Sequence, residues 1–294
     1  MTSRRNFVQC ASAALIYGAA FSRNVAAYAQ SLKLPLGIQL YSVREQLAKD
    51  YQGTLDEVGR LGYREVEAAG FYNKSSAEVA QAMKKANLRC VSGHYGMPIV
   101  RQQLDQTIEF SKVIGAGYII CSSAGKRDPS TKGPMTMDDW RWVADQFNAM
   151  GKKVAAAGLK FGYHNHIAEF AKTDGGVPYL ELLHKTDPSL VTFELDCGWA
   201  VVAGQKPVDL LREYSSRISM LHVKDFKIAA GDSGEGKEHK VTELGMGSID
   251  YGPILQEAAK AGRIKHVFVE QEAFDMPYIE SLKVDRDYMR KLLR

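Results

Sequence analysis

The sequence is poor in cysteine and has no paired-cysteine motif. Only four cysteines occur in 294 residues, and no two of them are spaced as CxxC. This scarcity argues against a disulfide framework and against a cysteine-bound structural zinc ion. We expect Cys90, Cys121 and Cys197 to be small buried hydrophobic residues in strands, and Cys10 to lie in a segment that is removed.

The chain also lacks an excess of charge of one sign. It has 38 basic and 34 acidic residues, but residues 1–29 contain Arg4, Arg5 and Arg23 and no acid. Without that segment 35 basic and 34 acidic residues remain, so the rest of the chain is nearly neutral. A protein that grips nucleic acid is expected to carry a basic surface, and we therefore expect no nucleic-acid partner.

No glycine-rich phosphate loop follows the first apolar run. That run continues as Gln-Leu-Tyr-Ser-Val-Arg at residues 39–44, which matches neither GxGxxG nor a Walker motif. A doubly wound open sheet that binds nucleotides is therefore the less favoured of two architectures.

The N-terminus has the three regions of an export signal. Arg4 and Arg5 precede an apolar run at residues 11–21, and Ala-Tyr-Ala follows at residues 27–29. The paired arginines resemble the twin-arginine motif, and the run is too short to span a bilayer comfortably. We expect a signal at residues 1–29, a single domain at residues 30–294, a periplasmic or secreted location, and no stable membrane anchoring after cleavage.

Eight short apolar runs alternate with amphipathic stretches after residue 34. The runs are rich in β-branched or aromatic residues, as expected for strands buried on both faces. They lie at residues 36–41, 65–69, 90–94, 118–122, 161–166, 192–197, 219–224 and 267–272.

The stretches between the runs have helical periodicity, and several end in glycine just before the next run, at Gly62, Gly158 and Gly262. Eight such units in about 260 residues predict an α/β fold, a single (β/α)8 TIM barrel. Residues 229–240 form a polar interval that is either a mobile active-site loop or an exposed insertion.

Acidic and histidine side chains gather at the C-terminal ends of the predicted strands, where barrels of this kind carry their chemistry. Several carboxylates in one barrel mouth repel one another unless a cation offsets them. Mixed histidine and carboxylate ligands suit Mn, Zn, Fe, Co or Mg. The acidic and histidine residues are Glu67, His94, His164, His166, Glu169, Glu194, Asp196, His222, Glu270 and Glu272, and Lys224 lies among them.

Strand alternation places residues i and i+2 on one face, so that one member of a pair ligates a metal and the other binds substrate. The pairs are His164 with His166, Glu194 with Asp196, His222 with Lys224, and Glu270 with Glu272.

Five motifs in order resemble the sugar phosphate isomerase/epimerase superfamily. This is the xylose isomerase-like barrel group of the AP endonuclease 2 type, which includes inosose dehydratases, ketose 3-epimerases and endonuclease IV. The resemblance covers essentially residues 34–294. The motifs are Tyr-His-Asn-His with Glu-Phe at residues 163–170, Glu-Leu-Asp-Cys-Gly-Trp at 194–199, Leu-His-Val-Lys-Asp at 221–225, Gly-Met-Gly-Ser-Ile-Asp-Tyr at 245–251 and Val-Glu-Gln-Glu at 269–272.

The resemblance implies one divalent metal held from the fifth to the eighth strands. Asp196, His222 and Glu270 match the family positions. The fifth strand carries His164 where members place a glutamate, with His166 or Glu169 as substitutes. Trp199 stands where ketose epimerases have a histidine, and an aromatic ring there suits stacking on a sugar face.

The implied reaction is metal-assisted proton abstraction next to a carbonyl, through an enediolate. The expected export argues against a phosphorylated substrate, so we expect a free sugar, an inositol or a keto-glycoside. Glu270 is the expected base, with His164 or Glu169 on the other side of the carbon. Arg44 and Lys224 are expected to orient substrate oxygens. His94 and Glu67 are expected to contact the metal or substrate, or to lie behind the ligands.

This chemistry ends in isomerisation or epimerisation, or, as an alternative, in elimination from a 3-keto-glycoside. An endonuclease IV-like nuclease and a non-catalytic sugar-binding barrel are rival interpretations. A homo-oligomer is compatible with the sequence, which leaves the sugar and the metal undetermined.

Overall fold

The computed structural model describes residues 32–173, 175–229 and 239–293. The predicted export signal and most of the polar interval at residues 229–240 lie outside the described residues. Within the described ranges no helix is both long and apolar enough to cross a bilayer.

Eight parallel strands close into a barrel, in the order β1-β10-β7-β6-β5-β4-β3-β2. This confirms the predicted (β/α)8 barrel. The barrel strands are β1 (Gly37–Gln39), β2 (Glu65–Ala68), β3 (Arg89–Gly96), β4 (Tyr118–Ser123), β5 (Lys160–His164), β6 (Val191–Asp196), β7 (Ile218–Val223) and β10 (His266–Val269). Two further strands, β8 (Asp225–Lys227) and β9 (Lys240–Thr242), form an antiparallel hairpin after β7.

Helices cover the outside of the barrel. They are α1 (Arg44–Lys49), α2 (Tyr51–Leu61), α3 (Ser76–Lys85), α4 (Met97–Gln102), α5 (Leu104–Ile114), α6 (Met137–Ala156), α7 (Pro178–Lys185), α8 (Cys197–Val202), α9 (Pro207–Tyr214), α10 (Tyr251–Ala261) and α11 (Tyr278–Leu292), with 3-10 turns at Leu40–Val43 and Ala168–Phe170.

Local cap chemistry sets the helix ends. Ser75 and Glu78 form a capping box at the start of α3, and Asp250 accepts a hydrogen bond from the Gly252 amide at the start of α10. Gly62 and Gly262 have φ angles of 97° and 64° at the ends of α2 and α10, a conformation that favours glycine.

Apolar residues fill the barrel below its mouth. Val91, Tyr118, Ile120, Met220 and Phe268 form one cluster of buried side chains, contributed by four barrel strands. A larger apolar layer packs the helices on the outside of the strands. This rigid scaffold fixes the C-terminal ends of the strands, where the polar residues lie.

The three described cysteines are free and buried, as expected. Burial raises the pKa of Cys90 and of Cys121 to about 12, which makes both poor nucleophiles. The prediction that Cys197 lies in a strand is wrong, because β6 ends at Asp196 and Cys197 opens α8. Asp196 ends the strand by capping that helix, through a 2.7 Å hydrogen bond from the Trp199 amide to Oδ1.

Candidate metal centre and barrel mouth

Neighbouring strands bring the predicted ligands together. β5, β6, β7 and β10 are consecutive in the barrel, and Asp196 of β6 pairs in register with His222 of β7. His164 is the last residue of β5, and Glu270 directly follows β10. All four side chains are buried at the C-terminal ends of the strands.

Two glutamates that are fully buried hold the imidazoles from one side. Glu194 Oε2 lies 2.9 Å from His164 Nδ1, and Glu67 Oε1 lies 2.7 Å from His222 Nε2. Gln39 and Ser92 also donate hydrogen bonds to Glu67, at 2.7 and 2.5 Å. Each ring therefore has one nitrogen committed to a carboxylate, and its other nitrogen points to a different set of atoms.

The second nitrogens face the carboxylates of Asp196 and Glu270. His164 Nε2 lies 3.8 Å from Asp196 Oδ2, and His222 Nδ1 lies 3.9 Å from the same oxygen. His222 Nδ1 is also 3.0 Å from Glu270 Oε2. Asp196, His222 and Glu270 thus form one compact group of donor atoms, and His164 Nε2 borders it on the side of Asp196.

This donor set fits a metal ion. Donor atoms of Asp196, His222 and Glu270 all lie within 4.8 Å of one another, and so do those of a second group, His94, His164, Glu194 and His222. Asp196 Oδ2 is buried and accepts no hydrogen bond within the described structure. Ligands of this type, with each histidine hydrogen-bonded to a carboxylate behind it, are typical of Zn and of related divalent ions.

Lys224 lies beside the same oxygens. Its ammonium group is 3.0 Å from Asp196 Oδ2, 2.6 Å from Glu270 Oε2 and 2.5 Å from Glu272 Oε1. The contact with Asp196 is an ion pair in distance only, because it lacks hydrogen-bond geometry. The side chain of Lys224 is fully buried, and it partly neutralises three carboxylates.

Burial and nearby charges shift the pKa values of the groups in the mouth in different directions. Burial raises the pKa of Asp196 to about 6, against the opposing effect of Lys224. Burial lowers the pKa of His94, but the carboxylates of Glu67 and Glu194 outweigh it and raise the value to about 9. Burial and the charge of Lys224 lower the pKa of His166 to about 4. At neutral pH His94 is charged and His166 is neutral.

A cavity of about 530 Å³ opens above these groups. Ionisable or polar residues form one wall, and Tyr41 and Trp199 contribute aromatic rings. The lining residues are Tyr41, Ala69, His94, Ser122, Ser123, His164, His166, Trp199, Glu270 and Glu272.

The structure brings most predicted substrate-binding residues to this cavity. His94, His166, Trp199 and Glu272 line it, and the Trp199 indole donates a 3.2 Å hydrogen bond to Glu272. Glu67 does not line it and makes its hydrogen bonds inside the barrel.

Two predicted site residues, Arg44 and Glu169, use their polar groups in hydrogen bonds to the loops around the cavity. Arg44 lies over the Tyr41 ring and donates hydrogen bonds to the backbone oxygens of Tyr41 and Glu272. Glu169 accepts hydrogen bonds from the Tyr163 hydroxyl and from the His166 amide, and it lines a neighbouring cavity of about 470 Å³. These contacts hold the loops that carry Tyr41 and His166.

Glu194, which the sequence paired with Asp196 as a metal ligand or a substrate-binding residue, does not line the cavity. It contacts three histidines, with Oε2 at 2.7 Å from His94, 2.9 Å from His164 and 3.2 Å from His222. Its spacing of two residues from Asp196 was the available signal. The backbone of the same region is fixed by Asn165, which exchanges hydrogen bonds with the Asp196 backbone.

The chain is similar to other proteins both in sequence and in fold. It is 24% identical over 247 residues to an inosose dehydratase from Lacticaseibacillus casei, a match that covers 76% of this chain and 82% of the relative. A sugar phosphate isomerase/epimerase structure from Parabacteroides distasonis is 25% identical, with a TM-score of 0.69 over 89% of this chain and 95% of that one.

A xylose isomerase-like barrel from Mycobacterium smegmatis, solved in complex with magnesium, has the same fold. It is 12% identical, with a TM-score of 0.67 over 88% of this chain and 96% of that one. Residues 55–292 match the family described as xylose isomerase-like TIM barrel. The chain therefore belongs to the xylose isomerase-like TIM barrel family.

Proposed function

We propose that this protein is a divalent-metal-dependent enzyme that removes the proton next to the carbonyl of a non-phosphorylated keto-sugar or keto-inositol. The observation that carries the proposal is the convergence of His164 Nε2, Asp196 Oδ2, His222 Nδ1 and Glu270 Oε2 at the floor of the cavity. The buried glutamates behind both imidazoles support a site that is oriented before substrate arrives.

These four residues would hold the ion. When bound there, a divalent ion supplies Lewis-acid polarisation of a carbonyl oxygen. His164 Nε2 and His222 Nδ1 would be the nitrogen ligands, because Glu194 and Glu67 occupy the other nitrogen of each ring. Oxygen and nitrogen ligands without thiolate favour Mn, Zn, Co, Fe or Mg.

We assign the general-base role to Glu270. Burial raises its pKa, but Lys224 and His222 outweigh this effect and hold the pKa well below its ordinary value, so the carboxylate is ionised. It lines the cavity, as a base must in order to reach a carbon-bound proton. His164 faces the same region from the β5 side as a neutral imidazole, because burial and His222 hold its pKa well below the ordinary value.

The remaining mouth residues suit a neutral, hydroxylated substrate. Neutral His166 both donates and accepts hydrogen bonds, and Trp199 offers a ring face to a sugar. The described residues that line the mouth include two glutamates and neither lysine nor arginine, so a phosphate group would find no lysine or arginine there to bind it. This supports free sugars over phosphorylated ones.

The relatives favour elimination as the outcome. In a dehydration or a loss of an alcohol, the C–H bond next to the carbonyl and a C–O bond at the β carbon break. A C=C bond forms, and the leaving oxygen takes up a proton. Dehydratases are the named relatives at 24% identity, whereas the Parabacteroides neighbour favours isomerisation or epimerisation as the second candidate. Both outcomes begin with the same proton abstraction.

Metal analysis and product analysis test the proposal together. We expect one divalent ion per chain in purified protein and an unsaturated keto product, seen as a new enone absorbance, from an inosose or a 3-keto-glycoside. An isomer without enone absorbance would select the second candidate. Turnover that persists in full after the metal is removed by a chelator would refute the proposal.

A further inference from the structure

A second cavity borders the mouth, and its lining residues have a different chemistry. Its volume is about 550 Å³, and it shares Ala69 and His94 with the cavity above the candidate metal centre. The two cavities are therefore neighbours, with Ala69 and His94 at their common border. We call the second cavity the aromatic side pocket.

Aromatic rings from three elements form its wall. Phe71 follows β2, Tyr95 belongs to β3 and Phe110 to α5. The Phe71 ring lies 4.2 Å from the Phe110 ring and 6.2 Å from the Tyr95 ring, measured between centroids, and both pairs are tilted. Rings fixed in this way by one another present a preformed apolar surface.

Small residues keep the space beside the rings open. A β-carbon at Gly70 would meet no atom within 4 Å, and the φ angle of 105° there favours glycine. A β-carbon at Gly93 would lie 3.2 Å from the Tyr95 ring, so glycine at that position leaves room for the ring.

The polar groups of the pocket are neutral apart from the shared His94. The other polar groups are Gln103, Gln106, Thr107 and the Tyr95 hydroxyl, and the described lining residues include no lysine, arginine, aspartate or glutamate. The charge of His94 is already paired with Glu67 and Glu194, at 2.7 Å each, so a charged group in the pocket would find no unpaired partner among its lining residues. A flat uncharged ring, by contrast, would gain contact with three aromatic side chains.

The size of the pocket fits more than one ring. A cavity of about 150 Å³ is enough to hold benzene, so this pocket has room for a fused bicyclic system. We propose that the substrate is a keto-glycoside with an uncharged aromatic aglycone of about two rings, the sugar lying in the mouth and the aglycone in the aromatic side pocket. This inference rests on the proposed function, since it names the substrate class of the same site.

A binding experiment tests the pocket separately from catalysis. The probe is 4-methylumbelliferyl β-glucoside, which carries a bicyclic aglycone but no ketone, and the comparison ligand is methyl β-glucoside. We expect the protein to bind the aryl glucoside at least tenfold more tightly by calorimetry. Equal affinity for the two glucosides, or no binding of either, would overturn the inference.

Two variants localise the effect. Phe110→Ala removes a ring from the wall, and Ile99→Trp fills the pocket from its rim, where Ile99 is 40% exposed and its replacement leaves no core void. Each should lower the affinity for the aryl glucoside about tenfold. Tyr214→Ala, at the end of α9 near the opposite end of the barrel, is the matched control and should leave it unchanged.

Loss of aryl-glucoside affinity in the control but not in Ile99→Trp would place the aglycone elsewhere and overturn the inference. Thermal melting confirms that each variant is folded. The proposed function fails separately, if neither 3-keto-glucosides nor an inosose show proton exchange while the aryl preference in binding persists.

Discussion

At the scale of single residues, hydrogen bonds with Glu67 and Glu194 determine which ring nitrogen of His222 and of His164 faces the mouth. Neither glutamate lines the cavity, yet each lies within 3 Å of an imidazole nitrogen. Hydrogen bonds of this kind fix the tautomer and raise the basicity of a histidine ligand. Their role is therefore to orient ligands rather than to contact substrate.

Replacing Glu194 by glutamine should weaken metal binding roughly 10- to 100-fold, because His164 and His94 lose their anionic partner. Competitive titration with a chromophoric chelator measures this affinity. Glu65→Gln is the matched control: Glu65 is also a buried barrel glutamate and lies 2.7 Å from His266, but at the start of β2. Equal weakening in both variants would contradict the assigned role of Glu194.

Lys224→Met should destabilise the metal-free protein by about 3–5 kcal/mol, since Asp196, Glu270 and Glu272 would lose a buried cationic partner. A divalent ion should restore part of that loss, because it neutralises the same oxygens. Thermal melting with and without EDTA gives both values. A variant as stable as the parent in EDTA would show that the ammonium contributes nothing to the cluster.

At the scale of elements, hydrogen bonds connect the β8–β9 hairpin, the glycine-rich motif that follows it and α11. Asp225, the first residue of β8, accepts hydrogen bonds from the amides of Gly245, Gly247 and Ile249, so the glycine-rich motif wraps around one carboxylate. A β-carbon at Gly247 would lie 2.3 Å from Asp225 Oδ1, which explains the glycine. Asp285 of α11 holds the same segment by accepting a hydrogen bond from the Leu244 amide.

Asp285 should make stability fall as pH rises. Burial raises its pKa from 3.8 to about 7, with Glu243 adding to the effect. The folded state keeps its proton in a range where the unfolded chain has lost it, so this stability is full below pH 4 and lost as pH rises through 7. Asp285→Asn should therefore exceed the parent by roughly 2–4 kcal/mol at pH 8 and match it at pH 4.

Urea unfolding at the two pH values measures this difference. The control is Asp287→Asn on the same helix, whose carboxylate is 48% exposed and pairs with Arg286. We expect little change there at either pH. A similar gain at pH 8 in both variants would attribute the effect to net charge rather than to burial.

The sequence predicted the secondary-structure elements more accurately than it predicted how deep each side chain lies in the barrel. Eight apolar runs that alternate with glycine-capped helices were enough to predict the closed barrel, because each strand and helix has its own local periodicity. Glu194 and Asp196 share a face of β6, but two residues along a strand amount to roughly 6–7 Å. Glu194 therefore lies deeper and binds the histidines from below, a difference that alternation alone cannot show.

The β8–β9 hairpin was not predicted, for a related reason. β8 and β9 contain three residues each and are stabilised by pairing with one another across a long connection, so neither has a periodic pattern of its own. The ends of β5 and β10 also fall short of the predicted runs, at His164 and Val269, because the polar residues that follow turn into the loops of the mouth.

The whole molecule joins a barrel scaffold to an N-terminal segment with the features of an export signal, and we propose that the protein reaches the periplasm or the medium. Replacing Arg4 and Arg5 together by lysine should retain the protein in the cytoplasm, because the twin-arginine route requires the paired arginines. Fractionation of cells with an activity or antibody readout measures this. Unchanged export of the double variant would contradict twin-arginine transport.

Proton exchange in heavy water tests the central claim most directly. A 3-keto-glucoside or an inosose is followed by NMR with metal-loaded protein, with chelator-treated protein and with the Asp196→Asn variant. The account predicts loss of the proton signal next to the carbonyl with the loaded protein, and at least a 100-fold slower loss in the other two samples. Equal exchange rates in all three samples would contradict it.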